Sequence, residues 1–284
     1  MRARRYPSDL TDQEWQILGP MLPPPACRTP RGGRPELHDR RDVVNAIRYV
    51  VSTGIQWRAL PCDFPPWSTV YKSFAKWSHA GAWEEIQDRL RTMIRTKMGR
   101  CPNPVTVIID SQSVKGSDTV GALTRGYDAG KCINGRKRHV ITDTRGLPVA
   151  VLVTPANIQD RDAAKLLFER LHEYQPQVVL SWGDSAYGGE LEKWAKDECG
   201  LTVVISRRPP GAKGFVLIPR RWVVERTNAW IMKSRRNCRD YERRPDHSEA
   251  HITLALLAIM LRRLARGAIT PERYPSAAVL AAGA

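Results

Sequence analysis

The spacing of apolar residues changes near residue 104, and a chain with that change folds into two joined regions of different class. Before the change the spacing is helical. Thr11, with Glu14 three residues on, is a capping-box start for a short helix that closes before the prolines at 23 to 25. Val43, Ile47, Val50 and Val51 share one face of a helix predicted over Asp39–Thr53, and Gly54 stops it. After a turn at Trp57–Leu60 and the Pro-rich stretch Pro61–Pro66, Ser68 is placed to cap another helix. That helix buries Val70, Phe74 and Trp77 and leaves Ser68, Thr69, Lys72, Ser73 and Lys76 exposed.

Beyond the change, strands alternate with helices. Val105–Ile109 is a continuous apolar run ending in Asp110 and reads as a buried strand. Arg138–Thr142 and Leu147–Thr154 flank the turn Asp143-Thr144-Arg145-Gly146 as a hairpin. Asp160–Tyr174 is an amphipathic helix with Ala163, Leu166, Leu167 and Leu171 inward. A short strand at Val178–Leu180 leads to Trp182-Gly183-Asp184, and a helix (Glu190–Glu198) and a strand (Leu201–Ile205) follow. Helices at Trp222–Arg235 and His251–Leu264 complete the order, and the Ala-rich end from Gly267 is expected to be poorly ordered. The fold class is α/β, a mixed sheet in which the strands before Asp110 and Asp184 are parallel neighbours. Domain limits are expected at 1–100 (helical), 101–266 (catalytic, with the C-terminal helix) and 267–284 (tail).

Charge narrows the partner. Forty-five Lys and Arg against 29 Asp and Glu leave a formal charge of +16, an excess that suits a polyanion. Twelve basic residues and three acidic ones (Glu225, Asp240, Glu242) lie between Arg207 and Arg244, so Glu225 is a lone carboxylate in a dense basic stretch. No apolar run reaches the roughly 18 to 20 residues of a membrane span, and there is no apolar signal core. The six cysteines stand at least 31 positions apart, which argues against a zinc knuckle or disulfide framework and suits a reducing cytosol. No P-loop motif is present.

Phosphodiester cleavage with two metal ions needs hard carboxylate ligands able to hold two cations about 3.5–4 Å apart. Asp110 and Asp184 each follow a buried strand, and parallel neighbours bring both to one sheet edge. Glu225 comes from the next helix, flanked by Arg221 and Arg226. A strand-end Asp alone is as readily a turn former. Two of them, with a Glu inside a basic block, read as metal ligands.

The stretches Ile108-Ile109-Asp110-Ser111, Gly130-Lys131 with Asn134-Gly135-Arg136-Lys137-Arg138-His139, Trp182-Gly183-Asp184-Ser185-Ala186-Tyr187 and Trp222-Val223-Val224-Glu225-Arg226-Thr227 resemble the transposases of the insertion-sequence-five family. The similarity runs over roughly residues 5 to 265. It implies a ribonuclease H-like catalytic fold, a triad of Asp110, Asp184 and Glu225, Mg²⁺ (with Mn²⁺ as substitute) and DNA transposition. It also implies double-stranded DNA partners (terminal inverted repeats and target), a homodimer or larger assembly on DNA, and a place in the bacterial cytoplasm at the nucleoid. The family pattern Tyr-x2-Arg-x3-Glu-x6-Lys is met at Arg221 and Glu225, whereas Ile218 and Met232 stand at its Tyr and Lys positions. Lys233, Arg235 and Arg236 follow as further candidate DNA contacts with Arg221 and Arg226.

Other basic and aromatic features carry two readings each. Ser68, Thr69, Lys72, Ser73 and Lys76 have the placement of a helix-turn-helix reader or of plain solvated surface. Thr29–Pro35 reads as a minor-groove arm or as a basic linker. Lys131, Arg136, Lys137, Arg138 and His139 read as a phosphate track or a solvated loop. His247 and His251 lack a third zinc ligand and read as surface histidines, and Trp222 and Trp230 as core packing with base stacking as the alternative. Three functions follow: a transposase, a stand-alone nuclease or resolvase on the same fold, and a DNA-binding regulator with an inactive catalytic domain.

Overall fold

Local signals hold well in the first hundred residues. In the computed structural model, which describes residues 3–30, 32–206 and 221–267, Thr11 and Glu14 form the reciprocal capping box of α1 (Asp12–Leu18). Asp39 caps α2 (Arg40–Thr53), and Gly54 ends it at φ 76°, a conformation that suits a residue without Cβ. The next helix, α3 (Trp67–His79), starts earlier than expected. The Pro66 carbonyl accepts from Thr69 and Val70, so Ser68 lies inside the first turn and caps nothing. α4 (Ala82–Lys97) follows, with Trp83, Ile86, Leu90 and Ile94 fully buried at spacings of three and four.

The sheet has six strands: β1 (Thr106–Lys115), β2 (Gly126–Asp128), β3 (Ile133–Asp143), β4 (Pro148–Pro155), β5 (Leu180–Gly183) and β6 (Thr202–Ile205). Their order is β2-β3-β1-β5-β6, with β4 also on β3. β1, β5 and β6 run parallel, as expected for the strands before the two aspartates, and β3 is antiparallel to β1 and β4. The hairpin stands where its turn residues predicted it. Asp143 accepts from the amides of Arg145 and Leu147, and Gly146 takes φ 76°.

Strand limits moved. β1 continues through Asp110 to Lys115 because β3 supplies ladder partners that far, and Val105 is 53% exposed ahead of it. β5 begins only at Leu180, with Val179 exposed.

Two helices, α5 (Asp160–Tyr174) and α6 (Glu190–Cys199), cover one sheet face through Ala163, Ala164, Leu167, Phe168, Leu171, Leu191 and Ala195. Leu166 was expected inward, but it is 53% exposed, about 100° round α5 from Leu167. On the opposite face lies α7 (Arg221–Met232), packed on Ile108 and Val140 through Val223, Val224 and Ile231. It ends sooner than predicted. Lys233 and Ser234 donate to carbonyls three residues back, which tightens the last turn and leads to a 3-10 turn at Arg235–Asn237.

The final helix, α8 (Pro245–Ala265), starts six residues before the expected His251. Ala250, Leu254, Ala255, Leu257, Met260, Leu261 and Leu264 of α8 share one core with residues of α1 to α4. Ile252 and Leu256 instead join Val140, Val153 and Ile231 against the sheet, so α8 links both layers. His247 and His251 are consequently buried, not surface residues: their rings lie 5.1 and 4.7 Å from Phe74 of α3. The tail from 268, Arg31 of the arm, and residues 207–220, which include Ile218 and the first third of the basic block, lie outside the described residues.

Candidate active site

The side-chain period of a strand decides which residues of β1 meet α7. Val107 and Ile109 pack towards α5 and α6, whereas Ile108 packs on Val223 and Val224 of α7. Asp110, two residues beyond Ile108, therefore faces α7. The same holds on β5. Trp182 pairs with Ile108 and packs in the same cluster, and Asp184 follows two residues later on extended backbone. Asp110 and Asp184 thus each stand two residues beyond the last paired residues of adjacent parallel strands, whose separation is about 4.8 Å. The β1/β5 ladder ends at Ile108 and Trp182, and the carboxylates emerge where it stops.

Asp184 is held by its own turn, since its Oδ1 accepts from the Ala186 amide at 2.9 Å. Gly183 before it has no room for a Cβ, which would stand 2.9 Å from the Tyr187 ring and 3.2 Å from Ile109. Glu225 of α7 is half-exposed. Arg221, four residues earlier on the same helix face, brings Nη2 to 3.3 Å from Glu225 Oε1 and 3.9 Å from Asp184 Oδ2. Asn228, three residues after Glu225, donates from Nδ2 to Asp110 Oδ2 at 2.9 Å. Its i+3 spacing from Glu225 was available in the sequence, but its role depends on the tilt of α7 across β1.

Burial pushes the Asp110 carboxyl up to about 6, with the Asp184 and Glu225 charges adding to the rise and the Ser111 amide and Arg221 opposing it. Such a carboxylate gains much from a cation. Arg221 supplies one between Asp184 and Glu225, and with it there no three acidic, His or Cys side chains among the described residues are gathered closely enough to hold a metal ion. The hard oxygen donors and the raised Asp110 fit a divalent ion of the Mg²⁺ type.

Several candidate DNA contacts are engaged inside the protein. Arg136, Lys137 and Arg138 belong to a strand with partners on both edges and layers on both faces, and they are buried instead of tracking phosphates. Arg136 pairs with Asp240 and donates to the Glu242 and Arg243 carbonyls. Arg138 donates to the Asn237 carbonyl, and Lys137 pairs with Asp160. His139, beside Asp160, is buried too, and desolvation lowers it to about 4.

Arg236 is likewise internal, bonded to Glu242 and to the Ile55 carbonyl. Arg226 lies between the Trp222 and Trp230 rings, 4.6 and 4.7 Å away, and donates to the Arg145 carbonyl of the hairpin turn. It braces α7 against β3–β4. Lys131, Lys233 and Arg235 remain exposed, as do Lys72 and Lys76 on α3. Ser68, Thr69 and Ser73 are half-buried. Thr69 and Ser73 line a crevice with Glu36, Leu37 and His38, which follow the arm, and the Ser73 hydroxyl donates back to the Thr69 carbonyl.

Two aspartates at the ends of a parallel strand pairing in a mixed sheet, met by a glutamate from a helix on one face, define the class. The family model described as "Transposase DDE domain" matches residues 102–261, more than half of the chain, and the chain belongs to this family of transposases. Residues 10–87 match a second model, "Putative transposase of IS4/5 family". Membership implies a ribonuclease H-like fold for the catalytic part.

Among curated proteins, the chain is 34% identical over 141 residues (46% of this chain, 65% of the relative) to "Putative transposase for insertion sequence element IS402" of Burkholderia cepacia. It is 30% identical over 89 residues (30% of this chain, 60% of the relative) to "Insertion element IS402 uncharacterized 16.2 kDa protein" of the same organism. The chain therefore spans less than two thirds of each relative's length. No solved structure matches significantly.

Proposed function

We propose that the chain binds the terminal inverted repeats of an insertion element, cleaves DNA to free 3′-OH ends and joins those ends to target DNA. The observation that carries this is the placement of Asp110 and Asp184 two residues beyond the last paired residues of two parallel strands, joined by Glu225 of α7 with Arg221 between Glu225 and Asp184. Asp110, Asp184 and Glu225 would hold Mg²⁺, or Mn²⁺ in its place. The ions, when bound, activate the attacking oxygen and stabilise the leaving one. Asn228 orients Asp110 by its hydrogen bond, and Arg221 is placed to hold a phosphate beside the acids once they are occupied.

Double-stranded DNA is the partner that a charge of +16 favours. The exposed Lys72 and Lys76 of α3, after the turn that follows α2, serve as the candidate repeat-reading face of a helix-turn-helix-like unit. Joining two ends calls for at least a dimer on DNA, and the bacterial cytoplasm is the site of action. Among the described residues no helix is long and apolar enough to cross a membrane.

The test is a strand-transfer assay on DNA carrying matched terminal repeats, with Asp110→Asn, Asp184→Asn and Glu225→Gln alongside the unaltered chain. Each variant loses cleavage and joining while repeat binding survives, and excess chelator does the same. Cleavage without joining would favour a nuclease, and repeat binding without either would favour a regulator.

A further inference from the structure

Away from the carboxylates, the segment after α7 and the start of α3 enclose an open groove of about 710 Å³. Its walls combine Trp57, Trp67, Tyr71 and Tyr241 with Arg58, Arg236, Arg243 and Arg244. Of these arginines, Arg236 is paired with Glu242 at 2.7 Å and Arg244 with Asp246 at 2.6 Å, which leaves Arg58 and Arg243 as the cations on the rim. Trp67 and Tyr241 are 39% and 37% exposed, so large apolar faces meet solvent within a basic wall. Arg58 lies 5.3 Å from the Trp67 ring and Arg236 5.4 Å from that of Tyr241, which orients both rings. No side chain caps α3, and its positive end opens beside Trp67. The floor is rigid, because Arg236 is tied to both Glu242 and the Ile55 carbonyl.

Aromatic faces beside arginines and a helix N-terminus match a ligand with exposed π faces and phosphates. A paired duplex hides its base faces by stacking and offers the groove only phosphates. We propose that this groove binds unpaired nucleotides of DNA, with bases on Trp67 and Tyr241 and phosphates at Arg58, Arg243 and the α3 N-terminus. The groove starts a few residues past the end of the helix that carries Glu225, and α7 rises only about 1.5 Å per residue. A strand freed at the acids could therefore reach it within several nucleotides. This reading rests on DNA being the partner and adds a second, structure-selective contact.

Fluorescence anisotropy of the full chain in chelator separates the two ideas. The probes are a blunt repeat duplex, the same duplex with a five-nucleotide thymidine overhang, and single-stranded oligothymidine. The overhang should tighten binding about fivefold or more. Trp67→Ala, Tyr241→Ala and the exposed-site change Arg243→Ala should each remove most of that gain with blunt-duplex binding unchanged, and Trp67→Phe should keep it. Quenching of intrinsic tryptophan fluorescence by oligothymidine in the unaltered chain is a readout that needs no variant. An overhang that adds nothing, or variants that weaken both duplexes equally, overturns the groove assignment. Failure to bind even the blunt duplex overturns the DNA reading itself.

Discussion

Single residues near the acids divide into those that meet solvent and those that brace. Arg221 lies 3.3 Å from Glu225 and stays partly exposed, so its planar fork is free to exchange a carboxylate for a phosphate. Lys233 stands past the end of α7 and off the Glu225 face. Arg221→Ala should therefore lower single-turnover cleavage at least about tenfold with an unchanged circular dichroism spectrum, and Lys233→Ala should cost clearly less. A larger loss from Lys233→Ala would show that the DNA-facing side of α7 has been misassigned.

Asp110 carries a stability cost as well as a function. Its folded carboxyl, raised to about 6, binds protons better than the unfolded one, so this group favours the fold below about pH 4 and that contribution is lost as pH rises through 6. At pH 7.5 without divalent ions, Asp110→Asn should be the more stable protein by on the order of 1–2 kcal/mol in urea denaturation. Equal midpoints would mean that Asp110 is not strained by its burial.

At the scale of elements, α3 and α8 are joined through histidines, and acid acts on that joint. His251 is buried against Phe74 with Glu242 Oε1 at 3.4 Å, and desolvation lowers it to about 4. Glu242 raises the His251 value, while Arg236, His247 and Arg138 lower it further. A folded pKa below the unfolded one stabilises the protein above about pH 6.5, and the benefit disappears as pH falls towards 4. The buried rings of His139 and His247, also lowered by desolvation, act in the same direction. Asp110 and Glu249, which burial raises to about 6 and about 7, act in the opposite direction, so the slope of stability between about pH 6.5 and 4 is the balance of these groups and His251 is read by comparison with its variant. In thermal denaturation His251→Phe should lose less stability, or gain more, than the unaltered chain on going from about pH 6.5 to 4, whatever it costs at neutral pH. An unchanged slope in the variant would remove His251 from the acid transition.

Across the whole molecule, the helical layer and the sheet are not separable at residue 100. Seven apolar side chains of α8 complete the core of α1 to α4, Gln87 of α4 donates to the Val149 carbonyl, and Arg95 pairs with Asp143 at the hairpin turn. Removal of residues 1–95 should expose that face of α8 and give an aggregated or molten chain by size exclusion and near-ultraviolet dichroism. A compact truncated chain would contradict the shared core. Repeat recognition is therefore better tested by Lys72→Ala and Lys76→Ala in the full chain than by deletion.

Periodicity and capping were enough to place α1, α2, α5, α6 and the hairpin, because local hydrogen bonds and one buried face decide them. The parallel pairing of the strands before Asp110 and Asp184 was also legible, since two apolar runs each closing on an acid must share an edge for both to serve one site. Other limits were not local. β1 runs past Asp110 because β3 offers partners to Lys115, α7 stops at Met232 on its own tight turn, and α8 begins early because Phe74 covers His247 and His251. Charge was the least legible property. Arg136, Lys137, Arg138 and Arg236 look in sequence like Lys72 or Lys233, yet only the layers above and below β3 and the carboxylates of the 240–242 segment bury them. The same docking creates what no spacing announces: Asn228 against Asp110, and a groove whose tryptophans and arginines come from segments over a hundred residues apart. Hydrophobic period and turn chemistry act over a few residues and can be read along the chain, whereas desolvation and ion pairing depend on which surfaces meet.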